Sequence, residues 1–252
     1  MRPRPAVTTS AGLPSGADKR ATVREMFDNI AGHYDLLNRV LSFGLDTSWR
    51  RRCVGVLGLA AGSLVLDVAC GTGDLCDELS LQGLRRIGLD LSPAMLSHAR
   101  GRARDNHTSP APLVLADALA TPFRSGSFDG AVSGFALRNV VDLGALFDEL
   151  ARLTRPGGRI SLLELSEPEV PLLRVGHQLW CSYGVPFLGS LLSDAKAYSY
   201  LPRSLSYLPP AEDMVKRLES AGFAAVQRSL LSGGASQLYV ATRQQRRRTQ
   251  WR

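Results

Sequence analysis

Leu64-Val65-Leu66-Asp67-Val68-Ala69-Cys70-Gly71-Thr72-Gly73-Asp74-Leu75 is the stretch whose reading decides the fold. Its first residues are Leu and Val in succession, which suits a strand covered on both faces. Asp67 closes that strand with a carboxylate. Gly71 and Gly73 let the backbone turn sharply and approach a ligand closely. Asp74 opens the next helix, where a negative charge suits the N-terminus. The stretch reads as strand, glycine turn and helix start. An ordinary βα turn with spare glycines has the same outline.

Two kinds of cofactor compete for such a loop. A dinucleotide fingerprint needs a third glycine, in the pattern G-x-G-x-x-G. Cys76 stands at that position, so the fingerprint fails. S-adenosylmethionine (SAM) carries an amino-acid end, a ribose and an adenine, but no phosphate. A carboxylate just before the turn can meet its ammonium group, and the glycines make room for the rest. The pattern D-x-x-x-G-x-G from Asp67 to Gly73 resembles motif I of the class I methyltransferases. That resemblance implies Asp67, Gly71, Thr72 and Gly73 as cofactor-binding residues.

The alternation of strand and helix continues outward from this loop. A helix from Asp74 to Gln82 ends at Gly83, and Arg86–Asp90 is a second strand. Asp90 closes it and is placed to accept both ribose hydroxyls. Ser92 is a natural helix cap, with Pro93 at the first helical position. Leu113–Ala116 is the third strand. Asp117 can then accept an adenine amino group, while the Ala118 N–H serves a ring nitrogen. Phe128–Ser133 is the fourth strand, and Ser133 at its end joins the cofactor candidates. Arg138 and Asn139 are the polar pair beyond that edge, where ligands sit in open α/β sheets. A helix cap and a surface arginine would look the same. Leu143, Leu146, Phe147, Leu150 and Leu153 mark an amphipathic helix that Pro156-Gly157-Gly158 ends. Strand five is Arg159–Leu165, with Glu164 near its end. After an insertion come a helix, Glu212–Ser220, and two strands joined around Gly233-Gly234, a hairpin signal. The order resembles the seven-stranded, Rossmann-like α/β sheet of the class I SAM-dependent methyltransferases, whose last strand is antiparallel.

At 252 residues and 44% hydrophobic, the chain suits one decorated α/β domain, expected over 23–242. Residues 1–22 and 243–252 read as flexible tails. Those tails carry +3 and +5 of the net +7, which leaves the body near neutral. A near-neutral body without a basic stripe argues against a nucleic-acid partner. The four cysteines form no C-x-x-C pair, so neither a zinc site nor a disulfide framework is indicated, and no metal is expected. The first residues lack an apolar core of a secretory signal, and no uniformly apolar run of membrane-spanning length exists. A cytoplasmic protein is the expectation. Val23, Met26, Phe27, Ile30 and Tyr34 recur at helical spacing and open a helical cap over 23–60. The cap is either a layer on the sheet or a lid over the cofactor, with His33, Tyr34 and Asp35 then within reach of a substrate. The insertion at 166–210 is apolar, with Leu172, Val175, Leu179 and Tyr183 in a stripe and Lys196, Tyr198, Tyr200 and Arg203 beyond. It fits a cover for a greasy substrate, peripheral contact with the inner face of a membrane, or a homodimer face.

Longer motifs narrow this further. Val23-x-x-Met26-Phe27-Asp28-x-Ile30-Ala31-x-x-Tyr34-Asp35-Leu36-Leu37-Asn38-x-Val40-Leu41-Ser42-x-Gly44, followed by Trp49-Arg50, resembles the opening signature of the menaquinone/ubiquinone biosynthesis C-methyltransferases. Leu137-Arg138-Asn139-Val140 resembles that family's second signature, and Arg155-Pro156-Gly157-Gly158-Arg159 also fits its pattern. The resemblance implies methyl transfer from SAM to a ring carbon of a prenylated quinol, demethylmenaquinol giving menaquinol. The ring carbon becomes nucleophilic when a neighbouring hydroxyl loses its proton. Arg138 with Asn139 is the expected catalytic pair, stabilising the phenolate, because arginine stays protonated and is a poor base. Methylation of another lipophilic phenol or polyketide, and a non-catalytic SAM- or quinone-binding subunit, are the other readings.

Overall fold

The computed structural model of the protein describes residues 16–105, 110–180, 184 and 204–245. About half of the expected insertion, including Lys196, Tyr198, Tyr200 and Arg203, lies outside the described residues, as do 1–15 and 246–252.

The described residues form one sheet of β1 (Leu64–Val68), β2 (Arg85–Asp90), β3 (Leu113–Leu115), β4 (Phe128–Gly134), β5 (Thr154–Leu165), β6 (Phe223–Leu231) and β7 (Ser236–Arg243). The strand order is β3-β2-β1-β4-β5-β7-β6. Neighbours from β3 to β5 are parallel, whereas β7 runs antiparallel to both β5 and β6. This is the seven-stranded order with one antiparallel strand that the sequence pattern implies. The hairpin folds back so that its second strand, β7, pairs with β5 from Arg159↔Thr242 to Leu165↔Ser236.

Eight helices are described: α1 (Gly16–Ile30), α2 (Tyr34–Leu41), α3 (Leu45–Gly55), α4 (Asp74–Leu81), α5 (Pro93–Asp105), α6 (Leu143–Leu153), α7 (Pro171–Leu179) and α8 (Ala211–Ser220). Side chains alternate across a strand. Leu66, Ala131, Ile160 and Leu162 therefore share one face, packed on Leu146, Phe147 and Leu150 of α6 and on Met214 and Leu218 of α8. Val65, Val132 and Leu163 face the other way, onto Trp49, Cys53 and Val54 of α3 and Leu75 and Leu79 of α4. Asp67, two residues after Val65, points to the α3/α4 side.

Two boundaries differ from the sequence reading. The tail expected to run to residue 22 gives way to helix at Gly16. Lys19 explains it: the side chain is buried, its ammonium donates to the Val140 carbonyl at 2.8 Å, and it lies 3.6 Å over the Tyr207 ring. The other difference is at β5. Pro156-Gly157-Gly158 does not end α6, which stops at Leu153; the strand begins at once and carries 155–158 as a bulge. The register jumps from Phe128↔Thr154 to Gly130↔Arg159. Gly157 takes a φ of 81°, which glycine adopts without strain. Asp129 pins the bulge by accepting the Leu64 N–H at 2.7 Å and pairing with Arg155 at 2.8 Å.

Gly130 sits where the two strands close up again. A Cβ there would lie 2.6 Å from the Arg159 carbonyl oxygen and 2.9 Å from Leu59. The contact with backbone cannot be relieved by a rotamer change. Gly130→Ala should destabilise the fold by about 1–3 kcal/mol, as overpacking does. A urea melt with unchanged slope and a lower midpoint is the expected result.

Candidate active site

At β1 the strand order reverses, with β2 on one side and β4 on the other. Crossover helices leave in opposite directions there and a crevice opens outside the carboxyl ends of the strands. A cleft occupies it, at the position where α/β sheets bind small molecules. Ala69, Asp90, Ala116 and Phe135 line it at the ends of β1 to β4. Arg20, Val23, Arg24 and Phe27, one stripe of α1, form the opposite wall. Two residues other than glycine at these strand ends have left-handed backbones: Ala69 with φ 56° and Phe135 with φ 59°. Such conformations cost of order 1–3 kcal/mol each and cluster at functional sites.

The glycine loop is clipped to β2. The Cys70 N–H donates to the Leu89 carbonyl at 2.9 Å, and the Gly71 N–H donates to the Asp90 carboxylate at 2.8 Å. The other Asp90 oxygen accepts the Ser92 N–H at 2.8 Å. Burial raises the Asp90 pKa, and these two N–H groups work against the rise. Gly71 turns with φ 55° and Gly73 with φ 90°, the latter starting α4. Cys76, in place of the fingerprint's third glycine, lies under the loop beside Gly88 of β2. A Cβ on Gly88 would meet the Cys70 and Cys76 sulfurs at 2.9 and 3.1 Å. Close helix–strand approach is thus obtained with the glycine on the strand.

Of the residues expected to bind cofactor, Gly71, Asp90, Asp117 and Ala118 line the cleft. Asp117 also accepts the Leu119 N–H at 2.9 Å and pairs with Arg20 at 2.6 Å. The other four lie behind the lining. The Ser133 hydroxyl is buried and donates to the Val68 carbonyl at 2.8 Å, fastening β4 to β1. The Thr72 hydroxyl donates to Asp35 of α2. Gly73 packs toward Ala99 of α5. Asp67 is wholly buried, and neither carboxylate oxygen has a hydrogen-bond partner among the described residues.

The expected catalytic pair separates. Asn139 lines the cleft; Arg138, in the same turn (Leu137–Asn139), does not. The Arg138 guanidinium is buried, forms an ion pair with Glu164 of β5 and donates to the Phe135 carbonyl at 2.8 Å. The reason is the neighbouring strand: Glu164 ends β5 within reach of this turn, and a buried carboxylate needs a cation. Tyr34 also lines the cleft, against Gly71. Burial raises its pKa, while Arg50 and Arg138 pull it down and Asn38 hydrogen-bonds to it. Behind it runs a charge network. Arg50 pairs with Asp46 and with Asp74, the latter at 3.1 Å, and Arg102 joins Asp74, Asp77 and Asp35. Burial opposes ionisation of Asp74, but Arg50 and Arg102 outweigh it and hold that carboxyl below its ordinary value. Sequence reading misses Arg20, Phe135 and the Glu164 partnership. Phe135 reads as a plain apolar residue, and Arg20 reads as part of the tail.

The family model described as the ubiE/COQ5 methyltransferase family matches residues 15–243. The chain belongs to the ubiE/COQ5 methyltransferase family. Members of that family among its curated relatives include the ubiquinone/menaquinone biosynthesis C-methyltransferase UbiE of Geobacter sp. (strain M21), 36% identical over 90% of this chain and 98% of the relative. The demethylmenaquinone methyltransferase of Thermus thermophilus is 39% identical over 86% of this chain and all of the relative. In fold, the chain is similar to Haemonchus contortus phosphoethanolamine N-methyltransferase 2 in complex with S-adenosyl-L-methionine. That match has a TM-score of 0.64 at 16% identity, over 88% of this chain and 60% of the other. The [4+2]-cyclase SpnF gives a TM-score of 0.66 at 15% identity, over 92% and 98%. As a ubiE/COQ5 family protein it is a SAM-dependent methyltransferase, and the motif I resemblance is borne out at that level. No described helix is long and apolar enough to cross a membrane.

Asp67 gives this site a pH signature. Burial is the main cause that lifts its pKa to about 7. The folded state therefore binds a proton that the unfolded state releases near pH 4, so stability falls as pH rises from about 4 to about 7 and then levels off. Asp67→Asn should remove that slope and stabilise the protein at pH 8 by roughly 2–4 kcal/mol. Denaturant melts of both proteins across pH 5 to 8 measure it.

Proposed function

We propose that this protein methylates a ring carbon of a prenylated quinol, with demethylmenaquinol to menaquinol as its reaction. The observation that carries the reading is the mixed chemistry of the cleft. Its strand-end wall presents the carboxylates of Asp90 and Asp117, while Val23, Phe27, Phe135 and Val140 give it apolar surface for a ring. The near-complete coverage of the demethylmenaquinone methyltransferase from Thermus thermophilus supports the same substrate class.

The residues present fit SAM. Asp67 is a buried carboxylate without a hydrogen-bond partner among the described residues, which suits the approach of an ammonium group. Asp90 accepts backbone N–H groups of its surroundings, among them those of Gly71 and Ser92, and its remaining acceptor capacity suits ribose hydroxyls. Asp117 and the Ala118 N–H serve the adenine edge. Gly71 and Gly73 give the loop its close approach. Thr72 and Ser133 hold the loop from behind, through Asp35 and Val68. When bound, SAM supplies a methyl group already activated by a sulfonium. The Asn139 amide donates to the ring oxygen and stabilises the phenolate left when the hydroxyl proton passes to solvent. Once the ring carbon has taken the methyl group, it gives up its own proton to solvent and aromaticity is restored, while Tyr34 and the α1 stripe hold the ring against the cleft wall. Arg138 supports Asn139 from behind the wall rather than touching the ring.

A prenyl tail belongs in a bilayer. Leu172, Val175 and Leu179 of α7 are exposed on one stripe, and exposed Phe43 stacks on Trp180 at 4.5 Å. We propose this face as the side through which the protein meets a membrane surface.

Purified protein with SAM and short-chain demethylmenaquinol should release S-adenosylhomocysteine and the methylated quinol. Binding of SAM without any S-adenosylhomocysteine release would sink the reading, and turnover of unrelated phenols alone would move it to another substrate class. Asp90→Asn removes the charged acceptor and should weaken SAM binding roughly 10- to 100-fold, as the loss of a hydrogen bond to a charged group does. Calorimetric titration checks this.

A further inference from the structure

We propose that Glu164 is a positioning residue for methyl transfer, acting through Arg138 on the strained turn that forms the β4 wall of the cleft. The inference rests on the functional reading above. It starts from the burial of Glu164, whose side chain is fully shielded from solvent. One carboxylate oxygen accepts the backbone N–H of Arg138 at 3.1 Å. The other accepts the Arg138 guanidinium and the Leu165 N–H, the latter at 2.8 Å. Glu164 thus holds the Leu137–Asn139 turn by both its backbone and its side chain, from the adjacent strand.

The guanidinium passes the constraint on. Its donation to the Phe135 carbonyl at 2.8 Å grips the residue whose φ is 59°. The Asn139 amide approaches the same carbonyl at 3.4 Å. On its other side, the Phe135 N–H donates to the Leu163 carbonyl at 2.8 Å, one residue before Glu164. A left-handed phenylalanine persists only when its surroundings over-determine it. Here the end of β5 supplies both restraints. Phe135 and Asn139 line the cleft and Glu164 does not, so Glu164 acts at a distance. The ion pair is neutral as a unit, and its function is geometric: it sets where Asn139 and the Phe135 ring meet the substrate.

Glu164→Gln keeps the length and an acceptor but loses the charge. It should bind S-adenosylhomocysteine with nearly parental affinity, because Asp90 and Asp117 are untouched. Its kcat at saturating SAM and quinol should fall about 100-fold, the scale expected for a reacting group misplaced by an ångström, while the KM for SAM stays put. The double variant Glu164→Met with Arg138→Met replaces the pair by apolar side chains, which buried pairs tolerate without unfolding. It should show the same loss of kcat. Hydrogen exchange at the backbone amide of position 138 should accelerate in both variants. A folded Glu164→Gln protein with kcat within about threefold of the parent, or with parental exchange at the Arg138 amide, would overturn the proposal. Should the parent protein methylate no quinol, the functional reading fails, and the exchange measurement still decides whether Glu164 holds the turn.

Discussion

The reversal of strand order at β1 is the constraint on which this structure depends. Because β2 and β4 flank β1 and their helices leave to opposite faces, no described element of the sheet covers the carboxyl ends of these strands. Backbone groups at those ends remain available to a ligand, and the chain spends its unusual conformations there. Ala69 and Phe135 adopt left-handed backbones on either side of the crevice, and Gly71 and Gly73 complete the turn between β1 and α4. The loop keeps its shape because Asp90, on the next strand, accepts the Gly71 N–H. One carboxylate thereby shapes the loop and stands at the cleft.

Charge is arranged in the same economy. Arg50 and Arg102 neutralise the acidic cluster behind the glycine loop, joining α2, α3, α4 and α5. Glu164 and Arg138 neutralise each other beneath the β4 turn. Asp67 is the exception, a carboxyl that forms no ion pair among the described residues and whose pKa burial lifts to about 7.

Much of this was legible in the residues. Leu64–Val68 could be read as a buried strand because every side chain in it had to meet a packed layer. Gly71, Asp90 and Asp117 could be placed because their spacing follows the strand–helix repeat, and that repeat fixes which end of a strand each one reaches. Boundaries set by contacts distant in sequence were not legible. Lys19 looked like part of a polar tail because its partners, Val140 and Tyr207, lie more than a hundred residues away. Pro156-Gly157-Gly158 looked like a helix stop, since nothing local announces that Asp129 anchors a bulge there.

Periodicity and turn chemistry are local properties, so the amino-acid sequence by itself determined the order of strands and helices, the glycine turn and the set of acidic residues at the strand ends. The orientation of each polar side chain was decided only in the tertiary structure. Arg138 and Asn139 are adjacent in the chain, yet Asn139 faces the cleft and Arg138 faces Glu164. Likewise Thr72 and Ser133 turn to Asp35 and Val68. The physical reason is that a buried polar group goes to the partner that satisfies it, and those partners come together only when β1, β4, β5 and α2 are assembled.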